Sequence, residues 1–214
     1  MNPLPTQNTA FTASASATSS PRSMPVQTTW SACNNEHAQV DWLILHFNQW
    51  FSHHKVVLVR GDFEPEYFPA TNHDPARIQF AHGFLNSALH EISHWCIAGA
   101  HRRTLPDLGY WYAPDGRTQE QQALFEKVEV KPQALEWLFA RSLLRPFRVS
   151  LDNLTGEGGD GAGFKDAVYQ QVCNYLLEPE TIPTDGHAFI QHLCKEIREG
   201  QMLSISEFNR SDLD

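Results

Sequence analysis

The feature that most constrains the fold is an HExxH motif at residues 90–94, which lies within an apolar stretch at residues 84–98. A helix places residues four positions apart on one face, so the imidazoles of His90 and His94 can reach the same metal ion. The apolar neighbours favour a helix packed inside the domain, and Gly99 is a typical residue to end it. The sequence therefore predicts a central, largely buried helix that presents two metal ligands.

A third ligand is expected on the next long helical segment, which carries Glu126 and Glu129. A carboxylate from this segment would complete a set of two histidines and one carboxylate, which suits non-heme Fe(II) and can also hold catalytic zinc. We favour Glu129 as the ligand, with Glu126 as the second choice. His101 follows His94 by seven residues, whereas the related metalloprotease pattern needs six, so His101 is out of register.

Glu91 leaves two chemistries open. In a zinc hydrolase, the glutamate of HExxH is the general base that activates a zinc-bound water. With iron, Glu91 would not need that role. A third interpretation, a pair of hydrogen-bonded core histidines beside solvated helix acids, requires no metal at all.

The chain divides into a tail, a domain and a short polar end. Residues 1–30 contain 19 Ser, Thr, Ala or Pro residues, and no acidic residue precedes Glu36. Such a segment buries too little apolar surface to offset its ordering entropy, so we predict a disordered tail at 1–35. The domain is predicted at 36–204, and a polar C-terminal tail at 205–214.

Helical periodicity dominates the domain, with a minority of short β-branched or aromatic runs, which predicts a single α+β domain with a small sheet packed by several helices. Pro132 predicts a kink or a break, with a second helix opening at that residue. The predicted helices are 37–52, 84–98, 118–144, 164–178 and 186–200, and the predicted strands are 55–60, 67–69, 77–80 and 110–112.

The net charge of the chain limits the kinds of molecule that it can bind. A formal charge of −9 disfavours direct binding of nucleic acid and suits a cationic group on the substrate. The sequence lacks an apolar run of the length that crosses a bilayer, and it lacks the apolar core of a secretory signal. Four cysteines without a CxxC pair indicate reduced thiols. We expect a monomer inside the cell, without membrane contact.

Several ordered blocks resemble the elongation factor P hydroxylase family. The blocks are FAHGF at 80–84, HEISHWCIAG at 90–99, GYWY at 109–112, PDGR at 114–117 and VEVKPQAL at 128–135. The similarity extends over most of residues 37–200. The Ser/Thr-rich tail before residue 36 lies outside it, and its role stays open.

The resemblance implies a bacterial cytoplasmic enzyme that hydroxylates the β-lysylated lysine of elongation factor P. It places Fe(II), or another divalent metal, on His90, His94 and Glu129, and makes residues 36–204 a metal-dependent hydroxylase domain. It also implies a fold similar to a bacterial metal-dependent endoribonuclease of ribosomal RNA maturation. Glu91, Glu126 and Asp115 are then candidate acidic partners of the cationic lysyl group.

Three rival functions stay open from the sequence. The first is the zinc hydrolase that uses Glu91. The second is a metal-dependent ribonuclease, which is suggested by fold analogy alone. The third is a protein-binding module with a structural metal, which would unfold when the metal is removed.

Overall fold

Five α-helices and a small sheet make up the domain in a computed structural model, which describes residues 29–109, 117–151 and 161–214. The predicted α+β class is therefore confirmed. The predicted strand at 110–112, most of the glycine-rich loop at 151–163, and residues 1–28 of the predicted tail lie outside the described residues. The helices are α1 (Glu36–Trp50), α2 (Leu85–Arg102), α3 (Gln119–Ser142), α4 (Ala162–Leu177) and α5 (Thr184–Ile197).

The sheet has three short strands in the order β1-β3-β2, namely β1 (Val56–Arg60), β2 (Glu66–Phe68) and β3 (Ala76–Phe80). β1 and β3 run parallel, and β2 is antiparallel to β3. Pro69 follows the end of β2, which is consistent with its lack of a backbone N–H for the ladder. The alternate residues Val56 and Leu58 of β1 are buried, so this strand packs one face into the core.

α2 follows β3 after a single turn and is buried along most of its length. It was predicted to end at Gly99, but helical hydrogen bonding resumes beyond that residue, and α2 extends to Arg102. Gly99 itself has φ 68° and ψ 175°, which interrupts the helix. Arg103 anchors the end of α2, because its Nε donates to the Trp95 carbonyl at 2.9 Å and its guanidinium lies 3.6 Å from the Trp95 ring centroid.

α3 runs without a break through Pro132, so the prediction of a second helix opening at this proline was wrong. An internal proline costs a helix about 3 kcal/mol in isolation. Here Leu135, Leu138 and Phe139 are fully buried, and α3 packs against α2, α4 and α5. Val128, whose carbonyl loses its donor at Pro132, is exposed. Tertiary packing therefore outweighs the local preference.

The two ends of the described chain pack on the domain. Phe208 and Leu213 are buried, and the Phe208 ring lies 5.2 Å from that of Trp137. Residues 205–214, predicted as a polar tail, therefore contribute to the core. At the other end, the Trp30 ring lies 5.2 Å from that of Trp42, and Cys33 is buried. The predicted tail thus includes a short segment, residues 29–35, that contacts α1. In both segments, burial of a few apolar residues is enough to hold a mostly polar stretch against the domain.

No helix among the described residues combines the length and the apolar character needed to cross a membrane.

Gly99→Ala is expected to lower the free energy of unfolding by about 1–3 kcal/mol, because its φ and ψ fall in a region that only glycine adopts readily. No atom lies within 4 Å of an added Cβ, so the effect would be backbone strain alone. Gly163→Ala in α4 is the matched control, since it also has free space and no positive φ. Urea unfolding would measure both. Equal stability of the two variants would contradict the assigned strain.

Candidate metal centre

α2 brings the two motif histidines together on one face. The Nε2 atoms of His90 and His94 lie 3.0 Å apart, and their ring centroids are separated by 4.6 Å. His94 is buried, and the His90 side chain is 22% exposed, so the pair lies at the edge of the core. Both nitrogens therefore point at the same small volume.

α3 supplies a carboxylate to that volume. Glu129 is buried, with Oε1 at 3.3 Å from His94 Nε2 and Oε2 at 3.6 Å from His90 Nε2. One ligand atom from each of the three residues lies within 4.8 Å of the others, and this is the metal-compatible group found among the described residues. The sequence placed Glu129 first as the third ligand, and the helix packing brings this residue to the histidines.

Glu126, the second choice, is not part of this group. Its Oε1 accepts a hydrogen bond from Gln122 Nε2 at 3.1 Å, and its side chain lines an open groove between α2, α3 and α4. Glu126 and Glu129 are three positions apart on α3, so they point in neighbouring directions. Glu126 is therefore close to Glu129 in the sequence, but its side chain faces the groove and not the two histidines.

Glu136 fixes the orientation of His90. Its Oε2 lies 2.8 Å from His90 Nδ1, so Nδ1 donates to the carboxylate and Nε2 faces the group. Burial disfavours the charged imidazole, but the hydrogen bond and charge of Glu136 outweigh it. Together with the charges of Glu129 and Glu91, they raise the pKa of His90 to about 10. The carboxylates around His90 thus favour positive charge at this position.

Glu91 is half-buried and lies outside the three-residue group. Burial raises its pKa, and the charges of Glu129 and Glu136 add to the rise, whereas the charges of His90 and His94 oppose it. A carboxyl held in this way can exchange a proton or accept a hydrogen bond from a cationic group.

The donor set fits a divalent cation. Two imidazole nitrogens and one carboxylate oxygen suit iron or zinc, and this set contains no thiolate. Glu129 and Glu136 are both buried beside the histidines, which places two carboxylates in a low-dielectric environment. A cation at the group would balance that charge, since buried charges are ordinarily paired or coordinate a metal.

Other residues singled out from the sequence are placed elsewhere. His82 has a left-handed backbone (φ 52°) before α2, and its ring lies 6.0 Å from that of Phe84. His101 is exposed at the end of α2. Asp107 accepts a hydrogen bond from the backbone N–H of Tyr67 at 3.0 Å, which is a structural contact. Asp115 and the aromatic residues 110–112 lie outside the described residues.

The sequence reasoning missed Glu136. It follows Glu129 by seven residues, which is two helical turns, so the two carboxylates share a face of one continuous helix. A glutamate inside the apolar run at 132–140 was the available signal. The prediction of a new helix at Pro132 separated Glu136 from Glu129 and concealed the relation.

The fold and the site together define a class: an α+β domain in which two packed helices present two histidines and one buried carboxylate. The chain belongs to the elongation factor P hydroxylase family, whose model matches residues 46–208. An elongation factor P lysine hydroxylase from Haemophilus influenzae is 53% identical over 142 residues, which are 65% of this chain and 79% of that protein. The family that the residue blocks predicted is thereby confirmed.

Replacing Glu136 with glutamine is expected to lower the affinity for Fe(II) about 10- to 100-fold, the range typical of partners that orient metal-binding histidines. Glutamine still offers His90 an acceptor but removes the negative charge. Isothermal titration of chelator-stripped protein under nitrogen would measure the change. Glu120→Gln, an exposed acid in the first turn of the same helix, is the control. Equal affinities of the two variants would restrict Glu136 to a structural role.

Proposed function

We propose that the chain hydroxylates the β-lysylated lysine of elongation factor P at an Fe(II) centre held by His90, His94 and Glu129. The observation that carries the proposal is the close grouping of these three side chains in a member of this family. The name of the Haemophilus influenzae relative, an elongation factor P lysine hydroxylase, supports the choice of substrate protein.

The reaction converts one C–H bond of the lysine side chain into C–OH. Dioxygen is the oxidant: one oxygen atom enters the product, and the other leaves as water with two protons and two electrons from a reductant. Bound iron would supply the activation of dioxygen, which the side chains of the protein cannot perform alone.

The residues of the chain contribute orientation and a largely buried site. Glu136 fixes the His90 ring through Nδ1, and the buried carboxylate of Glu129 lies 3.3 Å from His94 Nε2. Two imidazoles and one carboxylate leave further coordination positions open in such a centre. The substrate and the oxidant can therefore be held beside each other.

Glu91 and Glu126 are the proposed acidic partners of the cationic lysyl group. Both are half-buried carboxyls close to the histidine pair or to Glu129 along their helices. An ammonium group on the substrate would gain a charge-assisted hydrogen bond from either. The charge of −9 favours approach of a cationic target and disfavours direct nucleic-acid contact. We propose a monomer that acts in the bacterial cytoplasm.

The alternative is a zinc-dependent hydrolase in which Glu91 is the general base. Glu91 lies between the two histidines in the sequence, and burial raises its pKa. Both features favour the hydrolase as the second candidate. The bound metal separates the two functions, because zinc does not support redox hydroxylation.

The test uses a bacterial strain that lacks its own elongation factor P hydroxylase but still attaches β-lysine. The full chain is expressed in it, and elongation factor P is purified and weighed. We expect a gain of one oxygen atom on the lysylated peptide with the wild-type chain and with His101→Ala, but not with His94→Ala. His101 is an exposed histidine on the same helix, so it is the matched control. No mass gain from well-expressed, iron-loaded wild-type protein would overturn the proposal.

A further inference from the structure

An open groove of about 620 Å³ lies between α2, α3 and the start of α4. Its lining is partly apolar, with Ile97, Val130 and Phe164, and it also includes Glu126, Lys127 and Lys131. We call this the α3 groove. Phe164 belongs to the core, and none of the lining residues belongs to the metal-compatible group.

The α3 groove has a positive edge on an acidic chain. Lys127 and Lys131 are exposed and lie one helical turn apart, where two like charges destabilise a helix. Among the described residues, neither lysine is within ion-pair distance of a carboxylate. The chain as a whole has a charge of −9, so this edge differs in sign from the average surface.

The α3 groove begins close to the candidate metal centre. Glu126 lines it and precedes Glu129 by three residues, which is about 4.5 Å along a helix axis. Ile97 lines it from α2 and follows His94 by three residues. A chain segment in the groove would therefore lie within one helical turn of the ligands.

We propose that the α3 groove binds an acidic segment of elongation factor P that lies near the target lysine, with carboxylates on Lys127 and Lys131 and apolar side chains on Val128, which is 40% exposed, and Val130. This inference rests on the proposed function. Lys127 and Lys131 would not attract the cationic target lysine itself. They would attract carboxylates that flank the target lysine in elongation factor P. Arg102 is a third cation of the lining, but it donates to the backbone carbonyls of Leu108 and Gly109. The apolar lining and an edge of two lysines fit a protein segment better than a nucleic-acid backbone, which requires a wider field of cations.

The test is the affinity of iron-loaded protein for β-lysylated elongation factor P, measured by titration under nitrogen so that no turnover occurs. Lys127→Glu with Lys131→Glu is expected to raise Kd at least about tenfold, as reversal of interface charges does. The control is Lys55→Glu with Lys195→Glu, which makes the same change in net charge at exposed lysines outside the groove. Wild-type binding should weaken with added salt more than binding by the groove variant.

Several outcomes would overturn the inference. Equal losses in the two double variants would assign the effect to net charge, and an unchanged Kd would remove the groove from docking. A loss of thermal stability confined to the groove variant would mean that the lysines stabilise the fold. The double variant Lys127→Gln with Lys131→Gln would then be measured, and the inference would stand only if this variant weakens binding without lowering stability. Binding of an RNA oligonucleotide that depends on the two lysines would assign the groove to nucleic acid.

Docking and chemistry fail separately in this design. Wild-type protein that binds the lysylated factor without hydroxylating it would contradict the proposed function and leave the groove assignment intact. Hydroxylation by the groove variant with unchanged KM would contradict the groove assignment alone.

Discussion

His94→Ala is expected to reduce affinity for Fe(II) by at least about 100-fold, the upper end of the loss caused by removing a ligand's hydrogen-bond partner. It removes one of the three ligand atoms, and hydroxylation should fall below detection. Titration with Fe(II) under nitrogen and the mass of the lysylated peptide would measure the two effects. Retained metal affinity would contradict the role of His94 as a ligand.

Glu129→Gln tests the same centre with little change in volume. It should lower metal affinity to a similar degree, because it removes the only negative charge of the ligand set. Glu126→Gln on the same helix should leave metal affinity unchanged. The opposite result, with Glu126 required and Glu129 dispensable, would restore the second choice made from the sequence.

Phe189→Ala is expected to lower the free energy of unfolding by about 3–5 kcal/mol, the usual loss for a buried phenylalanine. Phe189 is fully buried, and its ring contacts those of Phe47, Phe51 and Phe139 at centroid distances of 5.9, 6.0 and 4.8 Å. It therefore joins α5 to α1 and α3.

Urea or thermal unfolding monitored by circular dichroism would measure this loss. Leu177→Ala is the control, because the Leu177 side chain is 69% exposed at the end of α4 and should change stability by no more than about 0.5 kcal/mol. Similar values for the two variants would show that the α1–α3–α5 contact is not the stabilising core.

The spacing of His90 and His94 was enough to predict their convergence, because helical periodicity alone decides it. The preference for Glu129 over Glu126 could not be derived in the same way. Two acids three residues apart point in neighbouring directions, and only the packing of α3 on α2 selects between them. The confirmed α+β class followed from periodicity, whereas likeness to an endoribonuclease fold stays a prediction.

Pro132 and Phe208 show why other parts were missed. Local propensity argues for a helix break at Pro132, but burial of the following residues stabilises the continuous helix. The short C-terminal segment looks polar by composition, yet Phe208 packs on Trp137. Both differences arise because contacts between residues distant in sequence contribute more than the local pattern.

The continuity of α3 has a thermodynamic consequence. Glu126 and the two lysines of the α3 groove belong to the same rigid helix as Glu129 and Glu136, with no loop between them. A displacement of this helix would therefore affect both a metal ion at the candidate centre and a protein docked in the α3 groove. Thermodynamic linkage would make the effect reciprocal. If docking of elongation factor P changes the affinity for iron by some ratio, iron changes the affinity for elongation factor P by the same ratio. A single helix can thus make loading with metal and recognition of the protein substrate interdependent.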